Sequence, residues 1–247
     1  MNFESEMKYN VICMKWGDKY SANYVNTLYA MVCRNLTKEF RFICITDDSE
    51  GLNPAIETFP IPEFGFDIVG PERCWRKLAV FKKGFAEMEG QCLFIDLDVV
   101  VVDQIDCFFD YPHTFRLCHE THRNRRLEGN SSVMHFPATG FHFIFDEFVD
   151  RPHYFMGKFR HDQSFISQVL LGRKLLEFWP RSWTPTFKYD CVPSFPLNFV
   201  KPTFIPKGSK ILLFHGVPNP REAADGISGK WYRWFRKSPW LHDYWHV

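Results

Sequence analysis

QCLFIDLD, residues Gln91 to Asp98, is an apolar run that ends on two aspartates and follows a glycine. It is too short and too uniformly apolar for a surface helix, so it predicts a strand buried on both faces. Upstream, Tyr9–Trp16 (YNVICMKW) has the same character and is closed by Gly17-Asp18. Between Ser21 and Leu36, Tyr24, Val25, Leu28, Met31 and Val32 form a helical stripe. Phe40–Thr46 (FRFICIT) predicts a second strand, Ile56–Ile61 a short third one, and Trp75–Met88 a helix. Strands alternating with helices imply an α/β domain with a mostly parallel sheet of nucleotide-binding character. Downstream, Asn130–Phe136 and Lys210–His215 predict strands, while Gly140–Val149 and Asp162–Leu171 predict helices. No linker interrupts the 247 residues, so one domain is expected over 1–247. Within it we expect a nucleotide-binding half at 9–110, an acceptor and sugar half at 111–220, and an aromatic-basic tail at 221–247.

The aromatic share is high, 18% with 27 Phe, so stacking surfaces are plentiful. A formal net charge of +1 argues against a nucleic-acid partner held by phosphate contacts. None of the eight cysteines forms a CxxC pair, which argues against zinc-knuckle and thioredoxin-type sites and favours a reducing cytoplasm. Met1–Asn10 lacks a signal-peptide pattern, and no long apolar run predicts a membrane span.

Asp96 and Asp98 lie two apart at a strand end, so both carboxylates can face one cation. Oxygen ligands suit Mn²⁺ or Mg²⁺, which would neutralise a diphosphate leaving group. The bland alternative is a pair of solvated strand-end acids. His215 ends another apolar strand, and the following Gly216 permits close backbone approach. Imidazole is a suitable third ligand beside two carboxylates. Tyr20 or Trp16 could stack on a nucleobase, and Lys15, Arg76 and Lys77 could meet a diphosphate. Asp162, Gln163 and Asn130 suit the hydroxyls of a sugar. Against these stand plain structural roles: Tyr20 packing at a helix entry, Asn130 in a turn, Asp162 as a helix N-cap.

The order strand–DxD, NSSV, DQ and FHG resembles the family 8 glycosyltransferases. The resemblance spans roughly Tyr9 to Pro220 and implies a GT-A fold, a UDP-sugar donor, Mn²⁺ and retention of anomeric configuration. It implies Asp96, Asp98 and His215 as metal ligands, Tyr20 stacked on uracil, and Lys77 on donor sugar or phosphate. It also places Asn130 and the Asp162-Gln163 pair at the donor sugar, giving Asp162, Gln163 and Lys77 as the expected catalytic group. Leu97, Ser131 and Gly216 complete the expected donor-binding set with Lys15, Trp16, Tyr20, Arg76, Lys77 and Asn130. Two departures stand out. Met14-Lys15-Trp16 replaces the usual acidic or polar base-binding residues, and Asn219 stands where a diphosphate-gripping lysine is usual.

The tail, Lys230–Val247, mixes Trp and Tyr with Arg233, Arg236 and Lys237. It predicts either packing on its own domain or peripheral contact with a membrane, the latter suiting a lipid-linked acceptor. Saccharide and protein acceptors are equally open. Two rival functions remain at this level. Asp96-Leu97-Asp98-Val99-Val100 loosely fits the DxDx[TV] motif of a haloacid-dehalogenase-type phosphatase, and a non-catalytic nucleotide-sugar-binding module would share most of the site.

Overall fold

The computed structural model describes residues 7–120, 128–228 and 234–247, apart from the side chains of 71–73. The expectations for residues 1–6 and for Lys230 to Arg233 lie outside the described residues. The strands are β1 (Tyr9–Lys15), β2 (Arg41–Thr46), β3 (Glu57–Phe59), β4 (Gln91–Ile95), β5 (Val99–Val101), β6 (Arg116–His119), β7 (Gly129–Pro137), β8 (Glu177–Phe178) and β9 (Ile211–Leu213). The helices are α1 (Ala22–Asn35), α2 (Phe143–Asp150), α3 (Pro152–Lys158), α4 (Asp162–Gly172) and α5 (Pro220–Asp225).

Seven strands form the central sheet in the order β3-β2-β1-β4-β7-β6-β8. Strands β3, β2, β1 and β4 run parallel, and β7 runs antiparallel to both its neighbours. Two-residue periodicity divides the core into two layers. Val11, Cys13, Leu93 and Ile95 enter one layer with Val25, Leu28, Met31 and Val32 of α1. Ile12, Met14, Cys92 and Phe94 enter the other, with Trp75, Leu78, Phe148 and Phe165. The phenylalanines concentrate in ring contacts there: the Trp75 and Phe148 rings stack 5.0 Å apart and parallel within 3°.

From β1 the chain winds outward through β2 to β3, then returns to place β4 on the other side of β1. That reversal is a switch point, where a crevice opens beyond the carboxyl ends of the two strands. Lys15 ends β1, and Asp96 follows directly on β4. The β5–β9 ladder is a separate antiparallel pair, with Val99 opposite Leu213 and Val101 opposite Ile211. It joins a segment from the middle of the chain to one from its last fifth.

Two element assignments are corrected. The segment expected as a helix over Trp75–Met88 is a 3₁₀ helix over Pro71–Phe81, followed by a short turn at Phe85–Glu87. Trp75, Leu78 and Phe81 are three apart and all buried, an eclipsed row that suits three residues per turn. Gly84, with φ +71°, then breaks the run. The second correction is that β4 ends at Ile95, so Asp96 to Asp98 form the link to β5 rather than the tip of a strand.

The described tail packs on its own domain. Phe235 lies 5.3 Å from Phe187, and Trp245 lies 5.1 Å from Tyr24. The Trp240 indole N–H donates to Thr203 Oγ1 at 3.0 Å. No helix among the described residues is long and apolar enough to cross a membrane.

Candidate active site

At the carboxyl end of β4, Asp96 is held on two sides. Its backbone N–H donates to the Ser132 carbonyl of β7 at 2.8 Å. Its side chain pairs with the Lys77 ammonium at 2.8 Å. Lys77 is only 6% exposed and also donates to the Ser131 carbonyl (3.3 Å) and hydroxyl (3.2 Å). Ser131 Oγ in turn donates to Asp162 Oδ2 at 2.9 Å. The 3₁₀ helix thus delivers one buried cation between two carboxylates, one from the β4 end and one from the first turn of α4. Burial disfavours the Lys77 ammonium, but Asp96 and Asp162 more than offset it and hold the group above its ordinary range.

Asp98 accepts the Tyr20 hydroxyl at 2.9 Å. Burial first, then the Asp96 carboxylate, push its pKa up to about 6, against the pull of Tyr20, Lys19 and Lys77. Burial also raises Asp96; Lys77 counters that rise, while Asp162 adds to it. In both acids burial favours the protonated form, and the negative charge of a neighbouring carboxylate adds to it.

The end of β9 closes on this pair. The Phe214 N–H donates to the Asp98 carbonyl at 3.2 Å. Extended two steps beyond the last pair, Val99 and Leu213, the β5–β9 register would bring His215 level with Leu97, between the two acids in sequence. Lys188 donates to the His215 carbonyl from a π-helical turn at Phe187–Cys191. Gly216 follows in the left-handed region, φ +64°, with open space around it. Among the described residues, no three His, Cys, Asp or Glu side chains are grouped so as to hold a metal ion. The backbone brings the expected ligands to one edge, while the carboxylates themselves are turned to Lys77 and Tyr20. The donor set, two clustered acids at a strand end with an imidazole-bearing residue beside them, nevertheless fits a hard divalent cation in chemistry and in missing charge.

A second line of polar groups lies alongside. Asn130 Nδ2 donates to Gln163 Oε1 at 3.3 Å, and Gln163 Nε2 donates to Glu120 at 3.1 Å. Asn130 stands inside β7, not in a turn, and its Oδ1 accepts the Ser132 N–H at 2.9 Å. Asp162 is the first residue of α4, whose N-cap position is His161, so its side chain serves Ser131 and not the helix end.

Of the remaining candidates, Lys15 is buried and donates to the Asp48 carbonyl at 3.2 Å. Trp16 is half-buried against the second core layer, Leu97 is buried in the first, and Arg76 is half-buried. The Tyr20 ring lies 4.9 Å from that of Tyr24, with the Lys19 ammonium above it. Asn219 serves its own helix, capping α5 in a reciprocal capping box with Glu222. Ser132, Glu120 and Lys188 belong to the site and were not singled out in the sequence. Ser132 was legible as the next residue of NSSV, whereas nothing local marks Glu120 or Lys188.

Neither a protein-family model nor a curated protein sequence matches this chain. Solved structures do match. The galactosyltransferase LgtC, in complex with donor and acceptor sugar analogs, aligns with a TM-score of 0.61 and 14% identity, covering 95% of this chain and 94% of that chain. An LgtC active-site variant with a glutamine changed to glutamate aligns equally well, at 0.61. The bifunctional glycosyltransferase WbbM gives 0.63 at 12% identity, covering 89% of this chain and 48% of the other. Apo GlyE of Streptococcus pneumoniae TIGR4, a glycosyltransferase, gives 0.59 at 13%, covering 87% and 56%. The chain therefore has the GT-A fold that these glycosyltransferases share.

Proposed function

We propose that this protein is a metal-dependent glycosyltransferase that moves a sugar from a nucleotide-sugar donor, a UDP-sugar, to an acceptor hydroxyl with retention of configuration. The observation that carries the reading is the half-buried pair Asp96 and Asp98 at the switch point of this fold, with the end of β9 hydrogen-bonded to it through the Phe214 N–H and the Asp98 carbonyl. Asp96, Asp98 and His215 would hold Mn²⁺ or Mg²⁺. When bound, the cation supplies positive charge to the departing diphosphate.

The chain's own residues do the rest. Lys77 holds Asp96 in place and balances Asp162. Ser131 and Asn130 orient Asp162 and Gln163, whose carboxylate and amide are chemically suited to the hydroxyls of a donor sugar. The LgtC variant gives a glutamine a place in that enzyme's active site, and Gln163 is the glutamine at this one. Lys15, Trp16, Tyr20, Arg76, Leu97 and Gly216 are the residues this reading assigns to the nucleotide. The acceptor hydroxyl attacks the anomeric carbon from the leaving-group face as the bond to phosphate breaks, and its proton passes to the departing phosphate oxygen. That course needs no protein nucleophile. The acceptor class stays open between saccharide, lipid-linked and protein hydroxyls, and eight free thiols suit a cytoplasmic setting.

Transfer from a panel of nucleotide sugars, with and without Mn²⁺, tests the reading. The substitution Asp98→Ala should lower the rate by about a hundredfold or more while leaving the melting temperature near wild type. Wild-type transfer by that variant would overturn the metal assignment. Tight donor binding with no turnover of any acceptor or water would instead favour a nucleotide-sugar-binding module.

A further inference from the structure

Beyond the transfer site, Phe195, Leu197, Phe199, Val200 and Trp234 are large apolar residues left in solvent, with Phe195 76% and Val200 65% exposed. They are contiguous. Phe195 and Phe199 lie 5.9 Å apart, and Phe199 stacks on Trp234 at 5.5 Å and 9°. Asn198 Nδ2 donates to the Trp234 carbonyl at 2.7 Å, and the Arg236 guanidinium donates to the Val200 carbonyl at 3.0 Å. These bonds hold the 3₁₀ turn Leu197–Phe199 and the tail together, so the patch is a built surface and not a frayed end.

Its charge is one-sided. No Asp or Glu occurs from Cys191 to Arg221 or from Gly226 to His242, while Lys201, Lys207, Arg236 and Lys237 are exposed there. Exposed aromatic and aliphatic residues with Lys201 next to Val200 in sequence and the Arg236 guanidinium bonded to the Val200 carbonyl complement a surface that is apolar below and negative above. We propose that this patch docks the protein on an anionic lipid bilayer, with Phe195, Phe199 and Trp234 entering the headgroup–acyl boundary and Lys201 and Arg236 meeting lipid phosphates. Trp234 and Arg236 belong to the tail first expected to touch a membrane, whereas Phe235, Trp240 and Trp245 of that tail pack on the core and Phe195, Phe199 and Lys201 come from outside it. The proposal does not depend on the transfer reaction.

Sedimentation of the full chain with extruded vesicles tests it without any donor or acceptor. Vesicles of phosphatidylcholine mixed with phosphatidylglycerol should carry the protein down, and phosphatidylcholine alone should not. The double substitution Phe195→Ser with Phe199→Ser, and separately Lys201→Glu, should each weaken partition by about tenfold. Brominated acyl chains should quench fluorescence in the wild type by an amount that Trp234→Phe removes, a readout independent of any loss of stability in the serine variant. The proposal is overturned if the wild type stays in the supernatant with anionic vesicles, or binds neutral ones equally. It also fails if the substitutions leave partition unchanged, or if they convert a dimer to a monomer without affecting vesicle binding, which would make the patch an interface between copies.

Discussion

Lys77 is the residue on which the charge balance of the site turns. A buried ammonium between two carboxylates is stable because each partner offsets its desolvation, and removing it strands both acids. Lys77→Ala should therefore cost about 3 kcal/mol of folding stability, read by urea or thermal unfolding. Asp98 behaves differently because burial and the Asp96 carboxylate outweigh the pull of Tyr20, Lys19 and Lys77 on it. Its carboxyl has an ordinary value of 3.8 and is pushed to about 6 in the folded protein, so the folded state binds this proton more tightly than the unfolded chain does. The stability this contributes is full below about pH 4 and is lost as pH rises through about 6. A divalent cation needs the deprotonated acid, so the gain in melting temperature on adding Mn²⁺ with UDP should be small near pH 5 and complete near about pH 7.5. Asp98→Asn should flatten that dependence. An unchanged Mn²⁺ response in Asp98→Asn would remove Asp98 from the ligand set.

Asn219 is best understood at the level of its element. A lysine at this position would lose the reciprocal capping of α5, a helix of only six residues whose first N–H groups need partners. Asn219→Ala should cost about 1 kcal/mol in unfolding experiments, and donor affinity should stay unchanged if the residue serves only the helix. Elements with a two-residue or 3.6-residue apolar period were legible in the sequence: β1, β2, β4, α1 and α4 lie within a few residues of where periodicity puts them. The 3₁₀ helix at Pro71–Phe81 was not. Its spacing of buried residues overlaps that of an α-helix, and only burial on nearly all sides reveals the tighter turn. Trp240 and Trp245 were ambiguous for another reason, since an amphipathic aromatic segment looks the same whether a lipid surface or its own domain covers it.

For the molecule as a whole, the site exists because distant segments meet at one sheet edge. Asp98 comes from the β4–β5 link, Tyr20 from before α1, Asp162 from α4 and His215 from after β9. Ligands that bind only this assembled state stabilise it by mass action. Mn²⁺ with UDP at about a hundredfold excess over Kd should add about 2.7 kcal/mol, a rise of roughly 5–10 °C in melting temperature. UDP alone should give much less if the cation bridges acid pair and diphosphate, and an equal shift without Mn²⁺ would count against a shared metal site.

The sequence by itself determined the alternating α/β order, the two-sided burial of β1, β2 and β4, and the presence of an acid pair at the carboxyl end of the β4 run, because these depend on local periodicity and apolar run length. Tertiary structure alone decided that Lys77 rather than solvent faces Asp96, that Tyr20 reaches Asp98, and that Glu120 and Lys188 join the site. Those pairings are set by sheet order and by the β5–β9 register, which couple residues far apart along the chain and leave no local pattern in either partner.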